Sequence, residues 1–290
     1  MCFINIMKMN RLMKITSYEL KKGDSKKTLS IVIPTKSISG NLFKEAKKNL
    51  EKISESIKEN ITLTAVEDSG ESFSFAKSVN KGLEEINADI YLNMNDDVTL
   101  SGNSLEKAIK IASSMNTVVG AILNYPDGHI QHAGMSLDLV SSTIDGSFIG
   151  YFLKEVKIHM APFDAFRKMK YMRSMGLNKF LYINHYKKIK PSNKGIVTGA
   201  FHMFSSGILK STGGYDENYR VGFEDLDFCL RALQSGISIR LSTEVNGIHF
   251  ESISTGRLIY SVEIIKYFHE KWANEQTVKL IEDNGPLYLK

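Results

Sequence analysis

The 290-residue chain contains little cysteine and no long apolar run. Its two cysteines, Cys2 and Cys229, lie far apart and indicate neither a disulfide framework nor a cysteine zinc site. No apolar run reaches the roughly 18 residues of a membrane-spanning helix. Lys, Arg and Asn interrupt residues 1–14, which argues against a secretory signal. We therefore expect a cytoplasmic protein in a reducing compartment.

The chain also lacks the glycine-rich phosphate loops of common nucleotide-binding domains. No G-x-G-x-x-G follows the first apolar run, and no G-x-x-x-x-G-K-[ST] is present. A dinucleotide-binding Rossmann domain and a P-loop are therefore both unsupported. The 42% hydrophobic and 24% charged residues are typical of a globular protein, and we find neither internal repeats nor low-complexity tracts.

Positive charge is concentrated in one segment. The segment from Lys154 to Lys194 contains eleven Lys and Arg residues and two acidic residues, so its formal charge is +9. The rest of the chain carries −4, which gives the formal net charge of +5. A local excess indicates a basic surface rather than a basic protein. Nucleic-acid binding is suggested by this charge alone, because the sequence contains no known nucleic-acid module.

Residues 1–27 show no clear period and predict an extension or a loose first turn. After them, strands and helices alternate through the first half of the sequence. Four apolar runs predict strands, namely LSIVIPT, ITLTAVE, YLNM and TVVGAIL. Apolar residues at helical spacing separate them. This alternation predicts an α/β fold with a mostly parallel sheet and right-handed crossovers. The second half predicts a strand at 196–205, a helix after GGYDENYRVGF, strands at ISIRL and NGIH, and a C-terminal helix within 261–290.

Polar residues collect where the predicted strands end. Thr35 closes the first strand, Asp68 follows the second, and Asp96 and Asp97 follow the third. In open α/β sheets this edge is where ligands bind. Adjacent carboxylates repel each other, so they are usually held by a cation or kept in water. The alternative is a solvated turn, because Asn and Asp are ordinary turn residues.

Eight ordered motifs give the chain a resemblance to a known family. They are SIVIPT, AVEDSG, FAKSVNKG, NMNDDV, GHIQHAG, VTGAFHMF, GGYDENYRVGFEDLDFCLR and IHFESISTGR. Together they resemble the family-two inverting glycosyltransferases of the GT-A fold, closest to the bacterial rhamnosyltransferase and O-antigen type. The resemblance covers Leu29 to Arg257. It implies a GT-A catalytic domain at 28–260, a Rossmann-like sheet flanked by helices with a basic insert at 150–195.

The resemblance implies a set of nucleotide contacts. Asp68 matches an aspartate that accepts a hydrogen bond from the N3–H of uracil or thymine, and Pro34 and Thr35 match the loop that lines the nucleoside. Asn80 matches a polar residue that faces the nucleotide. Arg257 matches a residue of a loop that closes on the diphosphate, for which the planar donor fork of arginine is suited. The alternatives are a turn aspartate at position 68 and an exposed helical asparagine at position 80.

The resemblance also implies a metal site for Mn²⁺ or Mg²⁺. Asp97 matches the most dependable ligand of the family's D-x-D motif, in which Asn95 here replaces the first acid. The resemblance does not decide whether Asp96 contacts the metal, the ribose or neither. We assign Asp96 to substrate binding. His249 matches a histidine that completes the metal site in some relatives, although a lone histidine at a strand end is often structural. A hard cation here would bridge phosphate oxygens of the donor.

Asp225, in the sequence GFEDLDFCLR, matches the family's catalytic base. It stands at the start of a predicted helix, where the dipole favours ionised carboxylates. Glu224 and Asp227 are assigned to acceptor binding or to fixing Asp225. The alternative is that all three acids cap the helix. His132 in GHIQHAG resembles a recurring feature of the subgroup, and its role does not follow from the sequence.

We expect the protein to transfer a sugar from a UDP- or dTDP-sugar to a hydroxyl of a glycan acceptor, with inversion at the anomeric carbon. The acceptor can be lipid-linked. Pyrimidine donors are favoured over GDP because a carboxylate at Asp68 fits a pyrimidine imide. Residues 154–194 either face an anionic membrane or form a solvated helical lid. Three rival functions are an inactive GT-A-like scaffold, a nucleic-acid-binding protein and a sugar-nucleotidyltransferase. The last would be expected to carry a glycine-rich loop after its first strand.

Overall fold

The structure is a computed structural model that describes residues 13–70, 73–141, 169–189, 195–250 and 261–283. Arg257 and most of the basic insert lie outside these residues. None of the described helices is both long and apolar enough to cross a bilayer.

In the part of the chain that the structure describes, nine strands form a central sheet. Its path is β1-β3-β2-β4-β10-β6-β11-β5, and β7 pairs with β6 beside that path. The strands are β1 Lys14–Lys21, β2 Thr28–Thr35, β3 Asn60–Glu67, β4 Ile90–Met94, β5 Val98–Leu100, β6 Thr117–Asn124, β7 Ile130–His132, β10 Phe201–Ser205 and β11 Ser238–His249. A separate antiparallel pair consists of β8 Met135–Ser141 and β9 Lys179–His185.

Helices cover both faces of the sheet. They are α1 Asn41–Ser54, α2 Phe75–Glu85, α3 Ser104–Ser114, α4 Ser206–Thr212, α5 Glu224–Gln234, α6 Val262–Trp272 and α7 Glu275–Asp283. The apolar sides of α1 and α3 share one buried cluster, and those of α2, α5 and α6 share another. Strand β2 lies between the clusters, because Ile31 and Ile33 belong to the first and Val32 to the second. An uninterrupted apolar run is what a strand buried on both faces requires.

The predicted α/β class with a mostly parallel sheet is confirmed. Strands β2, β3 and β4 are mutually parallel, and β11 is parallel to β6. Strand β10 lies between β4 and β6 and runs antiparallel to both, so β6 has the direction of β4. Because of this reversal, the first residue of β10, Phe201, pairs with the last residue of β4, Met94. The residues that precede β10 therefore reach the edge where Asp96 and Asp97 lie.

The structure corrects the sequence interpretation at three places. Residues 14–21, expected within an extension, form β1, antiparallel to β3 at the sheet edge. This strand is polar on one side, as edge strands often are, and Tyr18 packs on Phe43. The two strands expected at ISIRL and NGIH are one strand, β11, with a register shift between Leu241 and Asn246. The C-terminal segment forms two helices, because Asn274 caps α7 through its side-chain oxygen.

Gly82 allows α2 to pack closely on the sheet. A Cβ at this position would lie 2.3 Å from Cγ1 of Val32. We expect Gly82→Ala to destabilise the protein by about 1–2 kcal/mol, because overpacking outweighs the gain in helix propensity. Gly207→Ala in α4 is the matched control, since its Cβ would meet only Oγ of Ser205, at 3.7 Å. Urea unfolding measures both, and equal stability of the two variants would contradict this packing constraint.

Candidate functional site

A pocket of about 620 Å³ opens where β2 and β4 end. Its volume is in the range of small-molecule sites. Five chain segments bring the residues singled out from the sequence, or their neighbours, into its lining: the end of β2, the turn after β4, the turn before β10, the start of α5 and the end of β11. The residues concerned are Pro34, Thr35, Asn95, Asp96, Asp97, Thr198, Gly199, Glu224, Asp225 and His249. Tyr171, His185 and His269 add further polar groups to the lining. The structure thus brings Asp97 and Asp225 into the lining of a single pocket.

Pairing of β5 with β11 brings Asp97 and His249 together. Val98, the residue after Asp97, pairs with His249, and the N–H of Phe250 donates to the carbonyl of Asp97 at 3.0 Å. Oδ1 of Asp97 consequently lies 3.1 Å from Nε2 of His249, and only 5% and 12% of the two side chains are exposed. Without their partners, both groups would be costly to bury.

The hydrogen bonds around His249 indicate which of its nitrogens is protonated. Nδ1 lies 2.7 Å from the amide oxygen of Gln131, which can only accept, so Nδ1 carries the proton. In the neutral ring, Nε2 then carries a lone pair, and this nitrogen lies beside Oδ1 of Asp97. That carboxylate oxygen is buried and has no hydrogen-bond partner among the described residues. Two acceptors in this position are stable with a proton or a cation between them.

The donor set therefore fits a divalent cation. It consists of a carboxylate oxygen and an imidazole nitrogen, and Nδ2 of Asn95 lies 3.5 Å from that nitrogen. The amide oxygen of Asn95 is buried and has no hydrogen-bond partner among the described residues. Carboxylate and imidazole together suit Mn²⁺. The described residues contain no group of three or more His, Cys, Asp or Glu side chains that could hold a metal. Water or phosphate oxygens would have to supply the remaining ligands, as is usual for Mg²⁺ sites.

Asp96 is tied to β2 rather than to His249. Its Oδ2 accepts a hydrogen bond of 2.6 Å from the hydroxyl of Thr35. Burial raises the pKa of the Asp96 carboxyl against the lowering effect of this hydroxyl, and the charge of Asp97 adds to the rise. The bond joins the ends of β2 and β4 and keeps Asp96 at the wall of the pocket.

Asp225 is held by two backbone N–H groups. The N–H of Gly199 donates to its Oδ2 and the N–H of Leu226 to its Oδ1, each at 2.9 Å. A Cβ on Gly199 would lie 2.8 Å from Cβ of Asp225, so only glycine allows this approach. The N-cap of α5 is Phe223, at φ 70°, and it makes no side-chain cap. The acids therefore do not serve as the N-cap residue of this helix.

Glu224 is a buried acid beside Asp225. It is 7% exposed, and its Oε2 has no hydrogen-bond partner among the described residues. Burial, and after it the charge of Asp225, raises the pKa of Glu224 to about 8. Near neutral pH the carboxyl is therefore mostly protonated, and it can donate a hydrogen bond to an oxygen atom in the pocket.

Asp227 connects helices rather than lining the pocket. Its Oδ1 accepts from Nε1 of Trp272 at 2.9 Å and lies 2.7 Å from Nζ of Lys271, while its Oδ2 accepts from Nε of Arg231 at 2.7 Å. The side chain is fully buried. Of the two roles expected for Asp227, these contacts favour support of the helix that carries Asp225 over acceptor binding, and both roles stay predictions.

Asn80 and Asp68 do not line the pocket. The amide of Asn80 accepts from the N–H of Tyr215 and donates to its carbonyl, both at 2.8 Å, so the expected nucleotide contact is not seen. Oδ1 of Asp68 accepts from the N–H of Gly70, which agrees with the turn alternative. The N–H of Asp68 also donates to the carbonyl of Thr35, so Asp68 lies close to the pocket edge. Arg257 lies outside the described residues.

Three residues of the site were not singled out from the sequence. Gly199 holds Asp225, and Nδ2 of Asn93 donates to the carbonyl of Gly199 at 2.8 Å. Gln131 holds His249. A glycine inside a strand-like run marks close approach of another group, so Gly199 carried a usable signal. Asn93 and Gln131 carried none, because their partners are distant in the chain.

Comparisons with known proteins give no family for the chain. No family model matches it, and no curated protein matches it. Among solved structures it is similar to the mannosyltransferase PcManGT from Pyrobaculum calidifontis in complex with GDP-Man and Mn²⁺, with 13% identity and a TM-score of 0.42, over 79% of this chain and 60% of that one. It is also similar to S. aureus TarS 1-349, with 10% identity and a TM-score of 0.40, over 77% and 58%. The matches thus span about three fifths of those chains, and likenesses this distant do not decide an activity.

The pKa of Glu224 makes the stability of the protein depend on pH. It is about 8 in the folded protein against 4.5 for the free side chain, so folding favours the protonated form. Its contribution is complete below pH 4.5 and is lost as the pH rises to about 8. We expect Glu224→Gln to lose less stability than the wild type between about pH 5 and about pH 8.5, measured by urea unfolding. Glu270→Gln, at an exposed position of α6, is the control, and parallel pH profiles for all three proteins would contradict the prediction.

Proposed function

We propose that the protein is an inverting glycosyltransferase of the GT-A type that uses a UDP- or dTDP-sugar and Mn²⁺ or Mg²⁺. One observation carries the proposal. A single pocket at the edge of a mostly parallel sheet contains a cation-compatible Asp97–His249 pair and a separately anchored carboxylate, Asp225. Sugar transfer to a hydroxyl needs both elements, a counter-charge for the leaving diphosphate and a base for the acceptor.

The donor would bind along the ends of β2 and β4. Pro34 and Thr35 line this part of the pocket, and Asp96 is held there by Thr35. Asp97 and His249 would hold the cation, which would offset the negative charge on the leaving diphosphate. Asp68, next to the carbonyl of Thr35, remains our proposed partner for the pyrimidine imide. Asn80 is not included, because its amide is engaged with Tyr215.

The acceptor would bind at the start of α5. Asp225 would take the proton from the acceptor hydroxyl as the oxygen attacks the anomeric carbon on the side opposite the diphosphate. The two N–H donors fix the direction of this carboxylate, which a base needs in order to lie about 2.6–3.2 Å from the hydroxyl. The protonated carboxyl of Glu224 can donate to another oxygen of the acceptor or the sugar.

Two further expectations belong to this proposal. Arg257 would contact the diphosphate of the donor. The acceptor would be a glycan that can be lipid-linked, with peripheral membrane contact through 154–194. Among the described residues of that segment, Lys170, Tyr171 and Arg173 are exposed next to one another, a mixture of charge and aromatic surface that suits an anionic bilayer.

Loss of the base should abolish transfer without abolishing donor binding. We expect Asp225→Asn to lower kcat by about 10²–10⁴-fold, because the amide cannot take the proton. Thermal stabilisation by the donor and Mn²⁺ should persist, since Asp225 is not among the proposed donor contacts. Asp24→Asn, at an exposed turn, is the control. Wild-type kcat in Asp225→Asn would exclude Asp225 as the base.

A thermal-shift screen tests donor class and metal together. UDP-, dTDP- and GDP-sugars are compared with and without Mn²⁺. We expect pyrimidine donors to stabilise the wild type only with metal, by about 2.7 kcal/mol at a hundred-fold excess over Kd. Asp97→Asn should lose this response, because the cation loses a carboxylate ligand, whereas Asp24→Asn should keep it. Stabilisation by GDP-sugars alone, or without metal, would contradict the proposed donor site, and no response to any donor would favour a scaffold protein.

A further inference from the structure

A three-residue strand, β7, carries two buried residues to which the proposed chemistry gives no role. Gln131 and His132 are 6% and 3% exposed and belong to the motif GHIQHAG. Both line a side pocket of about 260 Å³, which shares His185, Thr198 and His249 with the main pocket. These two neighbouring residues therefore lie beside both halves of the candidate site, namely the Asp97–His249 pair and the turn that holds Asp225.

Gln131 is hydrogen-bonded to His249. Its amide oxygen accepts from Nδ1 of His249 at 2.7 Å, which places the ring proton on Nδ1 and directs the lone pair of Nε2 toward Oδ1 of Asp97. In metal sites, a partner on the second ring nitrogen sets the tautomer and the ring orientation of a histidine ligand.

His132 is hydrogen-bonded to the turn that holds Asp225. Its Nε2 accepts from the N–H of Thr198 at 3.2 Å and from the N–H of Gly134 at 3.3 Å. The next amide after Thr198 is that of Gly199, which donates to Oδ2 of Asp225. Accepting two N–H groups requires a neutral ring, and burial lowers the pKa of His132 to about 3. The imidazole therefore acts as a permanent acceptor at neutral pH.

We propose that Gln131 and His132 are a pair of positioning residues, of which Gln131 presents His249 to the cation and His132 fixes the turn that orients Asp225. The inference rests on the proposed function for its catalytic consequence. Its structural part, the tautomer of His249 and the bonding of residues 198–199, does not depend on that function. Because the pair lies on one short strand, movement of β7 would disturb both halves of the site.

The Gln131 half is tested by the protonation of His249, observed through imidazole ¹⁵N chemical shifts in histidine-labelled protein. We expect the proton on Nδ1 in the wild type and in Gln131→Glu, which keeps an acceptor. In Gln131→Met, which keeps the length but not the acceptor, we expect the proton to move toward Nε2. A wild-type His249 protonated on Nε2 overturns this half, even if no variant folds.

The same variants are then titrated with MnCl₂ in the presence of UDP. Gln131→Met should weaken Mn²⁺ binding by about 10–100-fold, whereas Gln131→Glu should retain it. Unchanged Mn²⁺ affinity in Gln131→Met overturns the role toward the cation. If the wild type itself binds no Mn²⁺, the proposed function fails, and the ¹⁵N shifts still decide whether Gln131 fixes the tautomer.

The His132 half is tested with His132→Gln, whose amide oxygen can replace Nε2 as an acceptor, and His132→Met, which has none. We expect His132→Met to shift the amide resonance of Gly199 and to lower kcat by about a hundred-fold at saturating Mn²⁺, with unchanged Mn²⁺ affinity. His132→Gln should recover most of the rate. His129→Ala, at an exposed position of the same motif, is the control for both halves.

Each result for His132 is decisive. An unshifted Gly199 resonance in His132→Met overturns the positioning role whatever the activity. Equal loss of rate in His132→Gln and His132→Met also overturns it, because a position that matters only for folding or packing would not distinguish a variant with an acceptor from one without. If no protein in the series transfers sugar, the resonance of Gly199 still tests the contact separately from the proposed function.

Discussion

The contact between Gly199 and Asp225 determines the arrangement of the site. It joins the turn before β10 to the start of α5 through one N–H, at a separation that excludes any side chain on residue 199. The contact forms because β10 runs against its neighbours, so that its first residues meet the end of β4. Had β10 run parallel, the same turn would lie at the opposite edge of the sheet, away from Asp97.

The two sides of the pocket differ in how they handle charge. On one side Asp97 faces a histidine nitrogen, in an arrangement that is complete only with a proton or a cation. On the other, Asp225 has backbone donors on both oxygens, and the neighbouring Glu224 is kept protonated by burial and by the charge of Asp225. The two adjacent acids thus have different surroundings, backbone donors for Asp225 and a buried site for Glu224, and different surroundings can separate the roles of two neighbouring acids.

Much of the fold could be predicted from the sequence, because the apolar runs of β2, β3, β4 and β6 and the helical periods between them are local signals. The polar ends of those strands also located the edge that carries the pocket. The direction of β10 could not be predicted, since a strand sequence does not specify which way the strand runs. The edge strand β1 was missed because its solvent-exposed side is polar and charged, so that its sequence resembles that of a loop.

Within the site, the resemblance to a glycosyltransferase family identified Asp97, His249 and Asp225 as residues of interest, and the structure places them in one pocket. It gave no role for His132 and an unseen contact for Asn80. Both depend on partners far away in the chain, Thr198 for His132 and Tyr215 for Asn80. A hydrogen bond between distant residues leaves no periodic or compositional trace, so only the folded chain reveals it.

The buried carboxylate of Asp227 has a consequence for local unfolding of the protein. It forms ion pairs with Arg231 from the same helix and with Lys271 from α6, and it accepts a hydrogen bond from the indole N–H of Trp272 in α6. If α6 detached, Asp227 would lose two of its three side-chain partners among the described residues, and a buried carboxylate that loses its partners is strongly disfavoured. Helices α5 and α6 should therefore unfold and refold as one cooperative unit. In this way α6 stabilises the helix that carries Asp225.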